Sequence, residues 1–199
     1  MIRTRTFPLL WIMYVCSAIC GLMVIGNFMK YGQAIDPSLV GETIVGIAAI
    51  AGFCNAGGRI VWGKLSDKLG GVKTMRIMFL VQCMAMILFA IAGLSDLDVV
   101  AGIAIWAIFG NLVYFCFGGN LSLFPATTRK YFGPKNMGLN YSIVFTAYGV
   151  AGILGAILAG PLLTLMGNAY TGYFILFGCT SLLAFFVSFK TNAPARKSD

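Results

Sequence analysis

Six apolar runs, each about twenty residues or longer and nearly free of charge, govern what this 199-residue chain can become. They cover approximately 8–31, 41–63, 74–95, 99–125, 138–165 and 168–190, with short polar joints between them. A hydrocarbon layer of roughly 30 Å is crossed by about 20 helical residues, so every run is long enough to span a bilayer. Lipid offers the backbone no hydrogen-bond partners, which leaves helices and closed barrels as the spanning structures. The runs lack the alternating ten-residue pattern of a barrel and are rich in Gly, Ala, Leu, Ile and Phe. The expected fold is therefore all-α, a membrane protein of six transmembrane helices. A water-soluble reading fails on composition, because 59% of the residues are hydrophobic and only 10% are charged. The first run is too long for a removable signal peptide and has no small-residue cleavage site, so it is expected to remain as a helix.

The net charge of +8 invites a nucleic-acid reading, but its distribution follows membrane topology instead. Arg3 and Arg5 precede the first run, and Lys64, Lys68, Lys73 and Arg76 lie about the second joint. Arg129, Lys130 and Lys135 lie at the fourth joint, and Lys190, Arg196 and Lys197 at the end. Twelve of the fourteen basic residues thus fall on one side, while the other carries Lys30 with Asp36, Glu42, Asp96 and Asp98. By the positive-inside rule, both termini are expected to face the cytoplasm from a plasma (inner) membrane. No nucleic-acid partner is implied; the bilayer is the partner.

No linker divides the chain, so residues 1–190 are expected to form one six-helix bundle and 191–199 a polar cytoplasmic tail. The second and fifth runs are the richest in small residues. The second holds Gly41, Gly46, Gly52, Gly57, Gly58 and Gly63; the fifth holds Gly149, Gly152, Gly155 and Gly160 before Pro161. Corresponding interrupted segments in two triplets suit a 3+3 inverted repeat of the kind used by transporters. Spacings such as Ala151 with Gly155, and Ala156 with Gly160, equally suit plain close packing of helices in lipid. The six cysteines, Cys16, Cys20, Cys54, Cys83, Cys116 and Cys179, form no CxxC pair and read as small packing residues. With no histidine, no metal centre or cofactor is implied.

Arg59 is the charge that stands apart, set among Ile, Ala and Val in the second run. A guanidinium at mid-helix costs roughly 2.5–3.5 kcal/mol on insertion scales and usually faces a cavity or a partner. Its fork suits bidentate capture of a carboxylate. The alternative is that it snorkels toward Lys64, five residues on, to reach the interface. Asn55 lies one turn earlier on the same face and is placed to orient it. Asn27, Gln82, Asn111, Tyr114, Asn120, Tyr141, Thr146 and Tyr148 are the other polar groups in the runs, and interhelical hydrogen bonding is the ordinary role of each. Tyr148 is promoted above the rest because its hydroxyl could donate to an anion opposite Arg59. The stretch from Gly58 to Leu65 nearly fits a phosphate-cradling GxxxxGK[ST] loop, but Leu65 replaces the hydroxyl and an apolar helix precedes it where a strand is needed. With no paired buried carboxylates, GxSxG or HExxH either, enzyme chemistry has little to work with.

The joint from Gly63 to Lys73, with Gly63, Leu65, Ser66, Asp67, Lys68 and Gly70 at the motif positions, resembles the loop between the second and third helices of a major facilitator superfamily half. Gly71 and Val72 replace the basic pair usual there. Residues 53–63 and 131–152 are similar to the C-terminal half of the oxalate/formate antiporter and monocarboxylate transporter branch. That resemblance covers most of residues 7–165. It implies half of a twelve-helix fold, a small carboxylate substrate, a second six-helix half (covalent or separate) and a substrate-binding role for Arg59, with Asn55 and Tyr148 supporting. It also implies that Asp67 and Lys68 belong to a loop that steadies one orientation of the carrier. Oxalate carriers resemble a pattern with an added lysine in the fifth helix, whereas residues 138–165 contain no Lys or Arg, which favours a monocarboxylate as much as a dianion. The expected function is transport of a small carboxylate (oxalate, formate or a monocarboxylate) by alternating access. The rivals are a truncated or accessory membrane fragment, an anion channel and, distantly, a membrane enzyme.

Overall fold

Backbone groups that find no partners in lipid must be satisfied within their own segment, and among the described residues the chain does this with six helices. These are α1 (Thr6–Ile35), α2 (Gly41–Leu69), α3 (Gly71–Ala90), α4 (Val99–Phe132), α5 (Met137–Leu165) and α6 (Tyr170–Ser188), with a short 3₁₀ turn (Ile91–Gly93) after α3. The structure, a computed structural model, describes residues 1–94, 96–167 and 169–194; Arg196 and Lys197 of the tail lie outside the described residues. All six helices are long and apolar enough to cross a membrane.

Two helices outrun their apolar stretches. α2 continues to Leu69 and α4 to Phe132, because hydropathy marks where lipid ends, while Lys, Leu and Arg are good helix formers on either side of that boundary. Helix α2 stops where Gly70 takes a positive φ of 89°, a conformation open to glycine, and α3 starts at the next residue. At the other end of the bundle Asp98 caps α4, its Oδ2 accepting the Val100 and Ala101 amides at 3.2 and 3.4 Å.

The helix pairings obey one exchange, of α1, α2 and α3 for α4, α5 and α6. Helix α2 lies along α4 as α5 lies along α1, α3 packs on α4 as α6 packs on α1, and the α1–α4 and α3–α6 pairs map onto themselves. Three crossings reverse the direction of the chain, so the two triplets are inverted copies in orientation. Where the self-paired helices meet, Ser17 Oγ lies 2.7 Å from Gln82 Oε1 and 3.0 Å from Asn120 Oδ1. Gln82 Nε2 donates to the Ser17 carbonyl at 3.1 Å, and Ser181 Oγ lies 3.1 Å from Gln82 Oε1. All four side chains are fully buried. This hub ties α1, α3, α4 and α6 together, whereas α2 and α5 stand outermost with four buried residues each. The start of α1 and the stretch after α6 meet at one end of the bundle, where Thr6 Oγ1 donates to the Asn192 carbonyl at 3.0 Å. At that same end Arg76 closes α6, donating to Ser188 Oγ at 3.0 Å and to the Ser188 carbonyl at 2.9 Å.

Helix α2 is held on α4 backbone to backbone. A Cβ on Gly58 would overlap the Phe115 carbonyl, and one on Gly118 would overlap the Asn55 carbonyl. Neither obstacle is a side chain able to rotate aside. Gly149 on α5, by contrast, has nothing near it. Gly118→Ala is expected to destabilise the bundle by about 1–3 kcal/mol, the usual cost of overpacking, while Gly149→Ala is neutral or mildly stabilising. Thermal unfolding midpoints in detergent check this, and equal effects at the two positions would contradict the close crossing.

Candidate functional site

The glycine crossing sets the position of Arg59. Residue 59 follows Gly58, so its Cα is fixed beside the middle of α4, with the side chain on the flank of α2 next to the contact and exposed. Its Nη2 donates to Asn55 Oδ1 at 3.2 Å, one turn back along α2. The guanidinium therefore turns away from Lys64 and from the basic end of the bundle, the reverse of the snorkelled conformation. Asn55 is fixed in turn, since its carbonyl rests on Gly118.

Tyr148 stands on α5 in a group of rings. It stacks on Phe145 (centroids 5.1 Å, 7° between planes), and its ring centre lies 5.9 Å from that of Phe117 on α4 and 6.4 Å from that of Tyr14 on α1. Its hydroxyl has no hydrogen-bond partner among the described residues. Helices α2 and α4 run parallel, and Gly58 sits at Phe115–Gly118, so Arg59 and the Phe117–Tyr148 contact lie at nearly the same depth. The two candidates are thus level with each other on neighbouring faces of α4, on helices other than α4 itself. Together they supply one cation, one carboxamide and aromatic rings, a combination suited to an anion with a small apolar part.

Most of the polar groups singled out in the sequence make the interhelical bonds expected of them. Gln82 and Asn120 belong to the hub, Asn27 Nδ2 donates to the Met23 carbonyl at 3.0 Å and to Tyr173 Oη at 3.3 Å, and Thr146 Oγ1 accepts from Trp11 Nε1 at 2.9 Å. The hydroxyls of Tyr14 and Tyr141 are 3.5 Å apart. Asn111 turns back on its own helix, its Nδ2 donating to the Ala107 carbonyl at 2.7 Å. Ser17 and Ser181, which complete the hub, carried no signal, since a lone serine in an apolar run looks like any other small residue. Phe117 and Phe145 were equally unmarked among sixteen phenylalanines.

Gly63, Leu65, Ser66, Asp67 and Lys68, read from sequence as a loop, form the last two turns of α2, and only Gly70 breaks the helix. Ser66 Oγ donates to the Gly63 carbonyl at 2.9 Å, and the Gly70 amide to the Ser66 carbonyl at 2.8 Å. Beside these turns a cleft of about 210 Å³ is lined by Ser66, Asp67, Gly71, Ala126, Thr127 and Lys130. Gly71 lets the Thr127 hydroxyl come against the start of α3, so this stretch joins α2, α3 and the end of α4. Of the glycines in α2 and α5, Gly58 and Gly155 are pressed against α4 and α1, while Gly46, Gly52, Gly57, Gly149 and Gly160 have nothing near them. Among the described residues no cluster of three or more His, Cys, Asp or Glu is placed to hold a metal ion.

Comparison with known proteins agrees with this architecture. The family model of the Major Facilitator Superfamily matches residues 10–199. An oxalate:formate antiporter of Oxalobacter formigenes is 31% identical over 202 residues, which is 99% of this chain and 46% of the antiporter. An uncharacterised MFS-type transporter from Escherichia coli is 27% identical over 76% of this chain and 36% of its own length. Apicoplast pyruvate carrier 1 of Toxoplasma gondii is 31% identical over 70% of this chain and 25% of the carrier. The chain spans less than half the length of each of these relatives.

The depth and direction of Arg59 can be read by thiol labelling. With Cys16, Cys54 and Cys179 replaced by serine, Arg59→Cys is expected to react with a charged, membrane-impermeant thiol reagent, while the buried Cys20, Cys83 and Cys116 stay silent. Failure of position 59 to react would place it in lipid or protein rather than in a water-filled space.

Proposed function

The chain belongs to the major facilitator superfamily, and we propose that it is one wall of a carrier that moves small carboxylate anions across a membrane by alternating access. The exposed guanidinium of Arg59, deep in α2 and turned toward Asn55, is the observation that carries this reading. A permanently charged fork in an apolar span has a cost that an anionic ligand offsets, and carboxylate geometry matches it. Asn55 positions the fork, and the Tyr148 hydroxyl, which makes no hydrogen bond among the described residues, supplies a second donor at the same depth from α5. The names of two relatives, an oxalate:formate antiporter and a pyruvate carrier, point to the same class of anion. Since residues 138–165 hold no Lys or Arg, a monocarboxylate suits this wall at least as well as a dianion.

A second six-helix unit, covalent or separate, completes the site in this proposal, because the chain covers under half of these relatives and Arg59 is exposed on this bundle. Rocking of the two units about a bound anion would expose it to each side in turn. Asp67 and Lys68, at the basic end of α2, are proposed to bear on the second unit in one of the two orientations. The excess of Lys and Arg at that end orients both termini to the cytoplasm of a cell whose plasma membrane holds the protein.

Counterflow tests the proposal. Proteoliposomes of the complete carrier, loaded with unlabelled monocarboxylate, are expected to accumulate the labelled anion. Arg59→Ala is expected to reduce this uptake at least about 30-fold, the loss of one charge-assisted pairing, with Arg59→Lys intermediate because a point charge replaces the fork. Uptake that is not stimulated by internal substrate would indicate a channel. No uptake with correctly folded protein would leave an accessory fragment as the reading.

A further inference from the structure

A cleft at the end of the bundle away from the basic joints has no part in carboxylate binding. It measures about 270 Å³ and lies where the last residues of α1 (Ala34, Ile35) and of the 3₁₀ turn closing α3 (Ala92, Gly93) meet the start of α4 (Asp98, Val99). Gly102 makes the meeting close, since a Cβ there would overlap the Ala92 carbonyl and press on Ile35 Cγ2. Three segments far apart in the chain thus share one small space.

Oxygen acceptors outnumber donors around it. The last carbonyls of a helix have no partner within that helix, so the carbonyl ends of α1 and of the turn after α3 both reach the cleft. The rim amides are already engaged. Those of Gly93 and Leu94 donate to Tyr31 Oη at 2.8 Å and to the Ile91 carbonyl at 3.1 Å, and that of Leu97 to the Leu94 carbonyl at 3.1 Å. Asp98 Oδ2 takes up the Val100 and Ala101 amides of α4, yet the carboxylate keeps its charge. No Lys or Arg is among the lining residues.

The charge balance follows from these ends. A helix terminus carries roughly half an elementary charge, so two negative ends and one carboxylate against the positive end of α4 leave roughly −1.5 charges. The space accommodates an ion together with several waters, at roughly 30 Å³ for each. Carbonyl oxygens with one carboxylate form the donor set of a hard cation, and calcium accepts such oxygens in flexible geometry.

We propose that this cleft binds a partly hydrated divalent cation of the calcium class, with Asp98 as its charged ligand and the terminal carbonyls of α1 and of the turn after α3 as neutral ones. Because a single side chain contributes, the site lies outside any cluster of acidic, Cys or His ligands. One carboxylate makes a weak site, with Kd of about 0.1–1 mM. The ion ties the ends of α1, α3 and α4 together, so it acts on stability and stands apart from Arg59.

Thermal unfolding midpoints of the purified protein in detergent, stripped with a chelator, test this. Calcium chloride is expected to raise the midpoint by a few degrees once well above Kd, and sodium chloride at equal ionic strength to leave it unchanged. Asp98→Asn keeps the helix cap, since Asn caps as well as Asp, and removes the charge. Its midpoint without calcium is expected to stay close to wild type, while the half-saturating calcium concentration rises at least about tenfold. An equal calcium response in Asp98→Asn, or an equal response to sodium chloride, would overturn the site. Terbium, a luminescent substitute for calcium, gives a readout on the wild type alone. Tyr31, whose hydroxyl accepts the Gly93 amide, is placed to sensitise it, and calcium is expected to displace the signal. The absence of calcium-displaceable luminescence would equally overturn the proposal.

Discussion

The contact on which the site depends is the crossing of α2 and α4, where two glycines let the backbones meet. With Gly58 under the Phe115 carbonyl and Gly118 under the Asn55 carbonyl, the helices can neither slide nor rotate against each other without collision. That register places Arg59 at the depth of Phe117, and through Phe117 at the depth of Tyr148. In lipid there is no hydrophobic drive for helices to associate, so the dispersion gained by such close approach is a main source of cohesion. A single geometric fact therefore serves stability and positioning together.

The buried hub performs the complementary task for the other four helices. Ser17, Gln82, Asn120 and Ser181 come one each from α1, α3, α4 and α6, the four helices that pair with themselves under the internal exchange. Polar groups at that depth are worth about 0.6–2 kcal/mol per interhelical bond, and each is directional, so they fix rotation as well as proximity. The two helices left out of the hub, α2 and α5, carry Arg59, Asn55 and Tyr148. A rigid four-helix centre bearing two lightly buried outer helices suits a wall that must present side chains to a second body.

Much of the architecture was legible because lipid imposes simple rules. The six spans emerged from hydropathy, and the inverted triplets from the matched small residues of the second and fifth. The ends of α2 and α4 did not, because a helix that leaves the membrane continues through Lys, Ser and Asp without any change that hydropathy registers. The stretch from Gly63 to Gly70 was legible as a motif and misread as a loop for that reason. Most glycines of α2 and α5 also looked like packing residues, yet only Gly58 and Gly155 are pressed against a neighbouring helix within this bundle.

At the site the division is sharper. Sequence alone determined that Arg59 is exceptional, because a charge in an apolar run is costly wherever the run ends up, and that Asn55 shares its face, because helical periodicity is local. Only the tertiary structure decided which way the guanidinium turns, that Tyr148 lies level with it on the next face of α4, and that Gln82 and the Asn120 Oδ1 belong to the hub. Those outcomes depend on how two helices are registered and on which polar group finds a partner. The hub pairings join residues 65 to 103 positions apart, and no local pattern records them.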